Sequence, residues 1–587
     1  MLDPYRMVFV NVIVFLAVLL GILIYRFIYP RKKVNYLYLL IIFSALPLIS
    51  ILRKGVYESG DMTIHIYHAI SFFNSIKEGI LVPKWGPELN AGYGYPVFIF
   101  MYLLPYYLIA FVHSFGISFI SSFKLVIAIS YLISGIFFFK WASSHFGEKA
   151  AFGSAIFFLF APYHLVDLHF RVDIGEIVAL SIIPLSFLVA KKINDTQKPI
   201  FYLINSFVIT LLIISHPALS IASIPLLVLY LFFMAYQTNK DWFIVSTKYI
   251  FSILGGIGLS SFYWLVTLVN LQYVRVFPFE QKLQFVNIDN LLYSPWRYGL
   301  LFQGSYGELS FLIGYAQFLV VILGLYLYFS KKMGRENIFF LFWFILFFVT
   351  IFFMLPLSRE LWKIIPIIDN FQFTYRLLGI NIFITSAIAG IVLKKYRNSA
   401  LFYLIVFFAM STTILNWGNR KVIPEINDSV LILNLPYSTA RGAGVSQGIS
   451  KWTEIDYPWF SEIPSKPIEV IEGKASFKPI FKDRLEHVYV IQSEENSLIR
   501  ENTLYFPGWN IDINGEEHTL LFDEKGIINF RLDQGLYKVK LSYNEPMDKY
   551  AIALTIITLS VLFAYYFFEK RSYIRIKGKE EKTNRKN

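Results

Sequence analysis

The N-terminal stretch "MLDPYRMVFVNVIVFLAVLLGILIYRFIY" (residues 1–29) indicates a membrane protein, because no charged residue interrupts it between Arg6 and Arg26. A helix of about 20 apolar residues crosses the hydrocarbon core of a bilayer. This run is too long for the core of a typical signal peptide, and it lacks a small-residue cleavage site. We therefore expect a retained first transmembrane helix.

The rest of the chain has the same character. Of its 587 residues, 56% are hydrophobic, 19% are aromatic and only 16% are charged, whereas a soluble domain carries about 25% charged residues. The composition predicts a polytopic α-helical membrane protein. Apolar runs long enough to be spans give about thirteen of them, at 8–28, 36–52, 119–139, 150–166, 174–190, 199–215, 217–236, 246–266, 311–330, 337–355, 376–393, 400–417 and 549–567.

Basic residues set the orientation, since short loops rich in Lys and Arg stay in the cytoplasm. The segments concerned are 30–33, Lys140 with Lys149, 191–198, 237–242, 331–337, 394–399 and the tail 568–587. All of them lie inside if Met1 is outside and if "VFIFMYLLPYYLIAFV" (97–112), which contains Pro105, does not cross. We therefore expect the segment 97–113 to re-enter the membrane or to lie at its surface.

Residues 418–548 differ from the rest, because charges rise and apolar residues alternate, as in "GIINFRLDQGLYKVKLSY" (526–543). Turn signals at "INGE", "DEKG" and "DQG" separate short predicted strands. The predicted organisation is a transmembrane domain (1–417) with a long first outer loop (53–118), an extracytoplasmic β domain (418–548), a last span (549–567) and a basic cytoplasmic tail (568–587).

Charge and cysteine content exclude several classes of function. The net charge of +13 is carried mainly by short loops and the tail, so topology explains it and we predict no nucleic-acid partner. The chain has no cysteine, which excludes disulfides, thiolate metal sites and cysteine nucleophiles. The predicted location is the plasma (cytoplasmic) membrane.

An acid and two histidines follow the second predicted span in "YESGDMTIHIYHAISFF" (57–73). Asp61, His65 and His68 lie on one face if this segment is helical. Asp61 could cap the helix, act as a base, or do both. Carboxylate and imidazole also suit several divalent ions, so a metal site is an alternative, although the residues make no cofactor certain.

Aromatic residues, glycines and prolines alternate in "EGILVPKWGPELNAGYGYPVFIFMYLLPYY" (78–107). Gly and Pro at this density predict an irregular path. The ring of Trp85 could stack on a sugar or anchor the loop at the membrane surface.

A second polar group lies in "APYHLVDLHFRVDIGEIVALSIIPL" (161–185), which places Arg171, Asp173 and Glu176 at the outer junction of two predicted spans, near Asp167 and His169. Charges at membrane depth are costly, and they are usually paired or functional. A structural pair of Arg171 with Asp173 or Glu176 is the alternative to a substrate site.

Three further residues complete the predicted outer set: His216 in "SHP", Arg297 in "SPWRYG" and Arg376 in "FQFTYRLL". The forked, permanently charged guanidinium matches a phosphate. Each arginine could instead extend its head group to the membrane surface.

These motifs together resemble the bacterial and archaeal membrane proteins described as related to 6-pyruvoyl-tetrahydropterin synthase, a group similar to the GT-C glycosyltransferases. The motifs are the acid after an early span, "GYGYPVF", the outer "R-x-D-x-x-E", "SHP" and "FQFTYRLL". The C-terminal "YFPGWNIDINGEE" (505–517) resembles the outer β domain of YfhO-like proteins. In GT-C enzymes the acid of the first outer loop is catalytic, and Asp61 matches it. Two adjacent acids are frequent there, whereas this chain has Glu58 three residues earlier.

The resemblance implies transfer of a sugar from a polyprenyl-phosphate donor to an extracytoplasmic acceptor, with inversion and with Asp61 as general base. Asp173 and Glu176 correspond to the second acidic motif. The predicted substrate-binding residues are His65, His68, Trp85, Arg171, His216, Arg297 and Arg376. The alternatives are a flippase for lipid-linked saccharides and a non-catalytic assembly factor for surface polymers.

Overall fold

A computed structural model describes eight stretches of the chain, namely residues 6–238, 241–274, 283–293, 311–364, 371–419, 421–437, 450–453 and 462–584. Arg297 lies outside the described residues.

The first half of the chain is helical. Its α-helices are α1 (Arg6–Ile28), α2 (Tyr36–Ser44), α3 (Met62–Lys77), α4 (Val97–Phe100), α5 (Leu104–His113), α6 (Phe119–Phe146), α7 (Glu148–Leu159), α8 (Pro162–Val166), α9 (Ile174–Thr196), α10 (Pro199–Ser215), α11 (Pro217–Thr238), α12 (Trp242–Leu259) and α13 (Ser261–Asn270). A π-helical turn, Asp167–Arg171, connects α8 to the loop before α9.

Helices continue in the second half and then give way to strands. The remaining α-helices are α14 (Ile288–Leu292), α15 (Tyr315–Phe329), α16 (Asn337–Met354), α17 (Arg359–Lys363), α18 (Leu378–Tyr396), α19 (Ala400–Ser411), α20 (Asp428–Asn434) and α21 (Asp548–Asn584). A 3₁₀ turn, Thr374–Leu377, leads into α18.

Eight helical segments of the described chain are long and apolar enough to cross a membrane. They are Arg6–Ile28, Phe119–Phe146, Ile174–Thr196, Pro217–Thr238, Trp242–Leu259, Gly334–Met354, Thr374–Tyr396 and Asp548–Arg575. A ninth span would combine Glu148–Leu159 with Pro162–Arg171, which meet at a bend of 51°. The polytopic helical fold is therefore confirmed.

The predicted number of thirteen spans is not confirmed. Four of the predicted spans, 36–52, 199–215, 311–330 and 400–417, contain helices of only 9, 17, 15 and 12 residues. Hydropathy measures how apolar a run is, whereas the helix covers only part of the run in 36–52, 311–330 and 400–417. In 199–215 the helix fills the predicted run, which is itself short.

The segment 97–113 is broken into the short helices α4 and α5, with Pro105 in the first turn of α5. The ten residues of α5 rise about 15 Å, half the thickness of the hydrocarbon core. By length, neither helix crosses a membrane.

Two helices form the centre of the bundle, and two lie at its edge. Of the residues in the most apolar window, 94% are buried in the segment that contains α18 and 83% in α9, against 17% in α1 and 11% in α21. The N-terminal ends of α9 and α18 carry Glu176 and Arg376. Their C-terminal ends carry Lys191 and Lys394, so the basic loops lie at the opposite end of the bundle from these residues.

The C-terminal strands form two antiparallel sheets, as the alternating pattern predicts. The strands are β3 (Ile468–Glu472), β4 (Ala475–Lys482), β5 (Glu486–Ser493), β6 (Ser497–Leu504), β7 (Trp509–Ile513), β8 (Glu516–His518), β9 (Leu521–Phe522), β10 (Ile527–Leu532) and β11 (Gly535–Tyr543), after a small outer pair of β1 (Val56–Tyr57) with β2 (Val422–Ile423). The sheet orders are β3-β6-β10-β9 and β4-β5-β11-β7-β8. Residues of both sheets share one apolar core, so these strands form a β sandwich.

The sandwich is docked on the first outer loop and on α3. Arg484, which is 7% exposed, donates to the Ser75 hydroxyl over 3.0 Å and to the Ser71 carbonyl oxygen over 3.1 Å. Its guanidinium also pairs with both carboxylate oxygens of Glu88. Lys84 of the same loop lies 3.3 Å from Asp548 at the start of α21. The sandwich therefore packs against the second half of α3 and against the first outer loop.

Candidate active site

Asp61 lies at the N-cap position of α3, but its side chain makes no capping hydrogen bond. Among the described residues its carboxylate has no hydrogen-bond partner. Its backbone N–H donates to the Arg171 carbonyl oxygen over 2.9 Å, and that of Gly60 donates to Phe170 over 2.8 Å. A Cβ at Gly60 would lie 3.1 Å from the Arg171 oxygen, so glycine allows this close approach. The backbone fixes Asp61 and leaves its carboxyl group free.

The pKa of Asp61 differs from that of an ordinary aspartate. Burial of this half-buried side chain raises its pKa to about 6, and the guanidinium of Arg171 opposes the rise. A carboxyl group with such a pKa is ionised at neutral pH and is a stronger base than an ordinary aspartate.

The chain makes a strained turn between Arg171 and Asp173. Val172 is fully buried and has φ +62° and ψ +43°, the left-handed conformation. This conformation is rare for a β-branched residue and costs about 1–2 kcal/mol. The turn directs the flanking Arg171 and Asp173 side chains to each other.

Arg171 forms ion pairs with both acids of its motif. Its Nη2 lies 2.9 Å from Asp173 Oδ2, and its Nη1 lies 2.8 Å from Glu176 Oε2. Both structural pairs that the sequence allowed are therefore present. Asp173 also caps α9 by accepting the N–H groups of Gly175 and Glu176. Burial alone would raise the pKa of Asp173, but Arg171, His216 and His65 together outweigh burial and hold this pKa well below its usual range.

Arg376, 200 residues further along the chain, completes this cluster. Its Nε donates to Glu176 Oε1 over 2.9 Å, and its Nη1 donates to the Phe371 carbonyl oxygen over 2.8 Å. Its Nη2 lies 3.8 Å from Asp173 Oδ2 and makes no hydrogen bond to a described residue. The structure thus brings together Asp61, Arg171, Asp173, Glu176, His216 and Arg376 of the predicted set.

The acids Asp173 and Glu176 and the imidazole of His216 offer ligand atoms within 4.8 Å of one another, the only such group of three within the described ranges. Their chemical types suit a divalent ion, but their arrangement does not. Asp173 Oδ2 and Glu176 Oε1 already face guanidinium nitrogens at 2.9 Å. His216 Nδ1 accepts the N–H of Leu219 over 3.2 Å, which leaves the proton of a neutral ring on Nε2, the nitrogen that would have to bind the metal. We therefore derive no step through a metal.

His65 and His68 do not join Asp61 in a metal group. The Nδ1 atoms of both rings face the hydroxyl of Tyr106, at 3.0 Å and 3.3 Å, and His65 Nε2 faces that of Tyr102 at 3.0 Å. Both histidines are nine-tenths buried. The common helical face therefore points into a buried network.

Trp85, a predicted substrate-binding residue, lies at the interface between the first outer loop and the sandwich. Trp85 is 2% exposed, and its ring packs against Trp509 and Tyr543 of the sandwich at 5.6 Å and 5.4 Å. With its faces covered in this way, it anchors the first outer loop to the sandwich, which was the alternative interpretation.

Two tyrosines of the site were not predicted from the sequence. Tyr102 donates its hydroxyl to Asp173 Oδ1 over 2.7 Å, and Tyr163 donates to Glu176 Oε2 over 2.6 Å. The chain contains 39 tyrosines, so nothing in its composition singles out these two. Only the nearby prolines, Pro105 and Pro162, mark the helix starts close to which they lie.

Comparison with known proteins identifies a family to which the sequence matches and a less similar bacterial protein. The model of a family of membrane proteins, described as the 6-pyruvoyl-tetrahydropterin synthase related domain, matches residues 100–419. An uncharacterized protein of Lactococcus lactis subsp. cremoris (strain MG1363) is 26% identical over 251 residues, and the match spans 41% of each of the two chains.

Two solved structures are partly similar. Arabinofuranosyltransferase AftD from Mycobacteria has a TM-score of 0.43 at 12% identity, over 67% of this chain and 27% of that one. The Archaeoglobus fulgidus oligosaccharyltransferase, in complex with Zn and sulfate, has a TM-score of 0.37 at 13% identity, over 65% of this chain and 52% of that one.

Proposed function

The chain belongs to the 6-pyruvoyl-tetrahydropterin synthase related family of membrane proteins. From the arrangement of Asp61, Arg171 and Arg376 we propose that it is a GT-C type glycosyltransferase. It transfers a sugar from a polyprenyl-phosphate donor to an acceptor on the extracytoplasmic side of the plasma membrane. The basic loops at the opposite end of α9 and α18 support this orientation.

A single observation carries the proposal: the Asp61 carboxyl group is free of hydrogen bonds to the described residues, beside a cluster with two guanidinium groups. A carboxylate in this position can take the proton of an acceptor hydroxyl as that oxygen attacks the anomeric carbon. General base catalysis of this kind contributes about 10²–10⁴-fold to a rate. One in-line displacement would invert the configuration of the sugar.

The leaving group is a lipid phosphate, which needs cationic hydrogen-bond donors as its charge develops. Arg376 is the best candidate, because its Nη2 makes no hydrogen bond to a described residue. Its other nitrogens are held by Glu176 and by the Phe371 carbonyl, so the guanidinium is fixed before the donor binds. Arg171 donates to Asp173 and forms an ion pair with Glu176, and its role is to hold both acids in place.

The test uses purified full-length protein and a panel of polyprenyl-phosphate sugars, with release of lipid phosphate as the measurement. Asp61→Asn is expected to lower the rate at least about 100-fold. Glu58→Gln is the matched control, since the Glu58 side chain is 49% exposed and lies 3.7 Å from Lys421. Its rate is expected to stay within about twofold of the unaltered protein.

Three outcomes would contradict the proposal. Unchanged transfer by the Asp61→Asn variant would remove Asp61 as the base. Failure to release lipid phosphate from any donor, with movement of intact donor across a vesicle membrane, would instead identify a flippase. Binding of surface polymer without either activity would identify an assembly factor.

A further inference from the structure

A continuous chain of hydrogen bonds leads from Asp173 into the protein. Tyr102 Oη donates to Asp173 Oδ1 over 2.7 Å and lies 3.0 Å from His65 Nε2. The other nitrogen of His65, Nδ1, lies 3.0 Å from Tyr106 Oη, which lies 3.3 Å from His68 Nδ1. All five side chains are more than nine-tenths buried. We call this chain, Asp173–Tyr102–His65–Tyr106–His68, the relay.

Counting protons gives the relay a single direction. The ionised Asp173 can only accept hydrogen bonds, so the Tyr102 hydroxyl donates to it. The Tyr102 oxygen must then accept a hydrogen bond from His65 Nε2–H. A neutral His65 therefore has an unprotonated Nδ1, which accepts from Tyr106, and Tyr106 accepts from His68 Nδ1–H. The anion at Asp173 thus specifies one tautomer for each histidine.

Both histidines are neutral, as this assignment requires. Burial lowers the pKa of His65 to about 4 and that of His68 to about 3. Neither ring carries a second proton at neutral pH, so neither can reverse its part of the relay without losing a hydrogen bond.

The Tyr102 ring lies directly against Gly175 at the start of α9. A Cβ at Gly175 would lie 2.5 Å from the Tyr102 ring and 2.8 Å from the Ser215 carbonyl oxygen. The absence of a side chain at Gly175 therefore lets the Tyr102 ring lie against the first turn of α9, with its hydroxyl at Asp173.

The relay also joins the two parts of the site. His65 lies one helical turn after Asp61, whose backbone is bonded to Arg171, and Asp173 is paired with the side chain of Arg171. The first turn of α3 is thus attached to the arginine motif at two points, one through the backbone and one through His65 and Tyr102.

We propose that Tyr102 and His65 are positioning residues, which fix Asp173 and its guanidinium partner relative to Asp61, while Tyr106 and His68 lock the His65 tautomer. This inference rests on the proposed glycosyl transfer for its kinetic test. Asp61 and Arg376 contact the substrates, whereas the relay acts on them only through Asp173 and its arginine partner.

The kinetic test compares Tyr102→Phe, His65→Leu and the double variant. Loss of a hydrogen bond to a charged group is expected to lower kcat about 10- to 100-fold in Tyr102→Phe, with KM changed less than about threefold. Because the two residues act in series, kcat of the double variant should be at most about twofold lower than that of Tyr102→Phe. His65→Gln, which keeps an N–H donor, should recover part of the rate lost in His65→Leu.

Tyr131→Phe is the matched control, because this buried hydroxyl donates to the Leu159 carbonyl oxygen over 2.9 Å and belongs to the structural core. Its kcat should stay within about threefold of the unaltered protein. The inference is overturned if Tyr102→Phe affects kcat no more than Tyr131→Phe does, or if the effects of Tyr102→Phe and His65→Leu multiply in the double variant.

A second measurement does not depend on activity or on the folding of a variant. Nitrogen NMR of the unaltered protein labelled at histidine should find the proton of His65 on Nε2 and that of His68 on Nδ1. The opposite tautomers would overturn the relay even if sugar transfer is observed. The expected tautomers without transfer from any donor would support the relay and refute the proposed function alone.

Discussion

Replacing Arg484 by methionine should weaken the docking of the sandwich on α3. The change keeps the apolar stem of the side chain and removes all its hydrogen bonds to Ser71, Ser75 and Glu88. Removing one partner of a buried ion pair costs about 3–5 kcal/mol. Glu88 is 25% exposed and keeps donors from Ser71 and Asn74, so we expect the low end, about 3 kcal/mol, or roughly a hundredfold in the docking equilibrium.

Hydrogen exchange of the full-length protein in a bilayer measures this equilibrium. Amides in the second half of α3 should exchange up to about a hundredfold faster in Arg484→Met, because exchange follows local opening. The control is Arg531→Met, whose ion pair with Glu472 at 2.9 Å is about half exposed on both sides. Such pairs contribute about 0–1 kcal/mol. Equal exchange of α3 in the two variants would refute the argument that Arg484 holds the sandwich in place.

Three further outcomes are expected. Since only the ionised Asp61 carboxylate can accept a proton, kcat/KM should fall about tenfold per pH unit below the Asp61 pKa of about 6 and level off above it. A kcat/KM that does not change through this pH range would contradict the role of Asp61. A chelator should leave transfer unchanged, because guanidinium groups already face Asp173 and Glu176; a loss of activity that added divalent ions restore would show that a metal takes part. Trp85→Ala should lower the free energy of unfolding by about 3–5 kcal/mol in denaturation experiments, while the KM for the donor stays constant. A raised KM at unchanged stability would instead show that Trp85 contacts the substrate.

Fold class and family were predictable from the sequence, because long apolar runs and the outer motifs are local features. The alternating pattern likewise predicted the strands, and the "INGE" turn lies between β7 and β8 with positive φ at Asn514 and Gly515. The sheet pairing was not predictable, because consecutive β10 and β11 belong to different sheets. The span count remained unconfirmed, because hydropathy does not register where a helix ends.

The site was predicted as a set of residues and not as a geometry. Charged residues at membrane depth stand out in an apolar chain, which is why Asp173, Glu176 and Arg376 could be selected. Their pairing depends on how α9 and α18 pack, and no local pattern encodes it. Tyr102 and Trp85 illustrate the remaining difficulty. Tyr102 donates to Asp173 in the site, whereas Trp85 packs against the sandwich, and only the tertiary structure distinguishes these two roles.

The ion pair between Glu176 and Arg376, whose partners are 200 residues apart, has a consequence for biosynthesis. When α9 leaves the ribosome, its buried acid has only Arg171 as a cationic partner from its own motif. The second partner is translated much later, and the outer strand pair of Val56 with Ile423 closes later still. The helices made first must therefore insert in a provisional arrangement, and the end of the bundle that carries Glu176 is complete only after Arg376 has been synthesised.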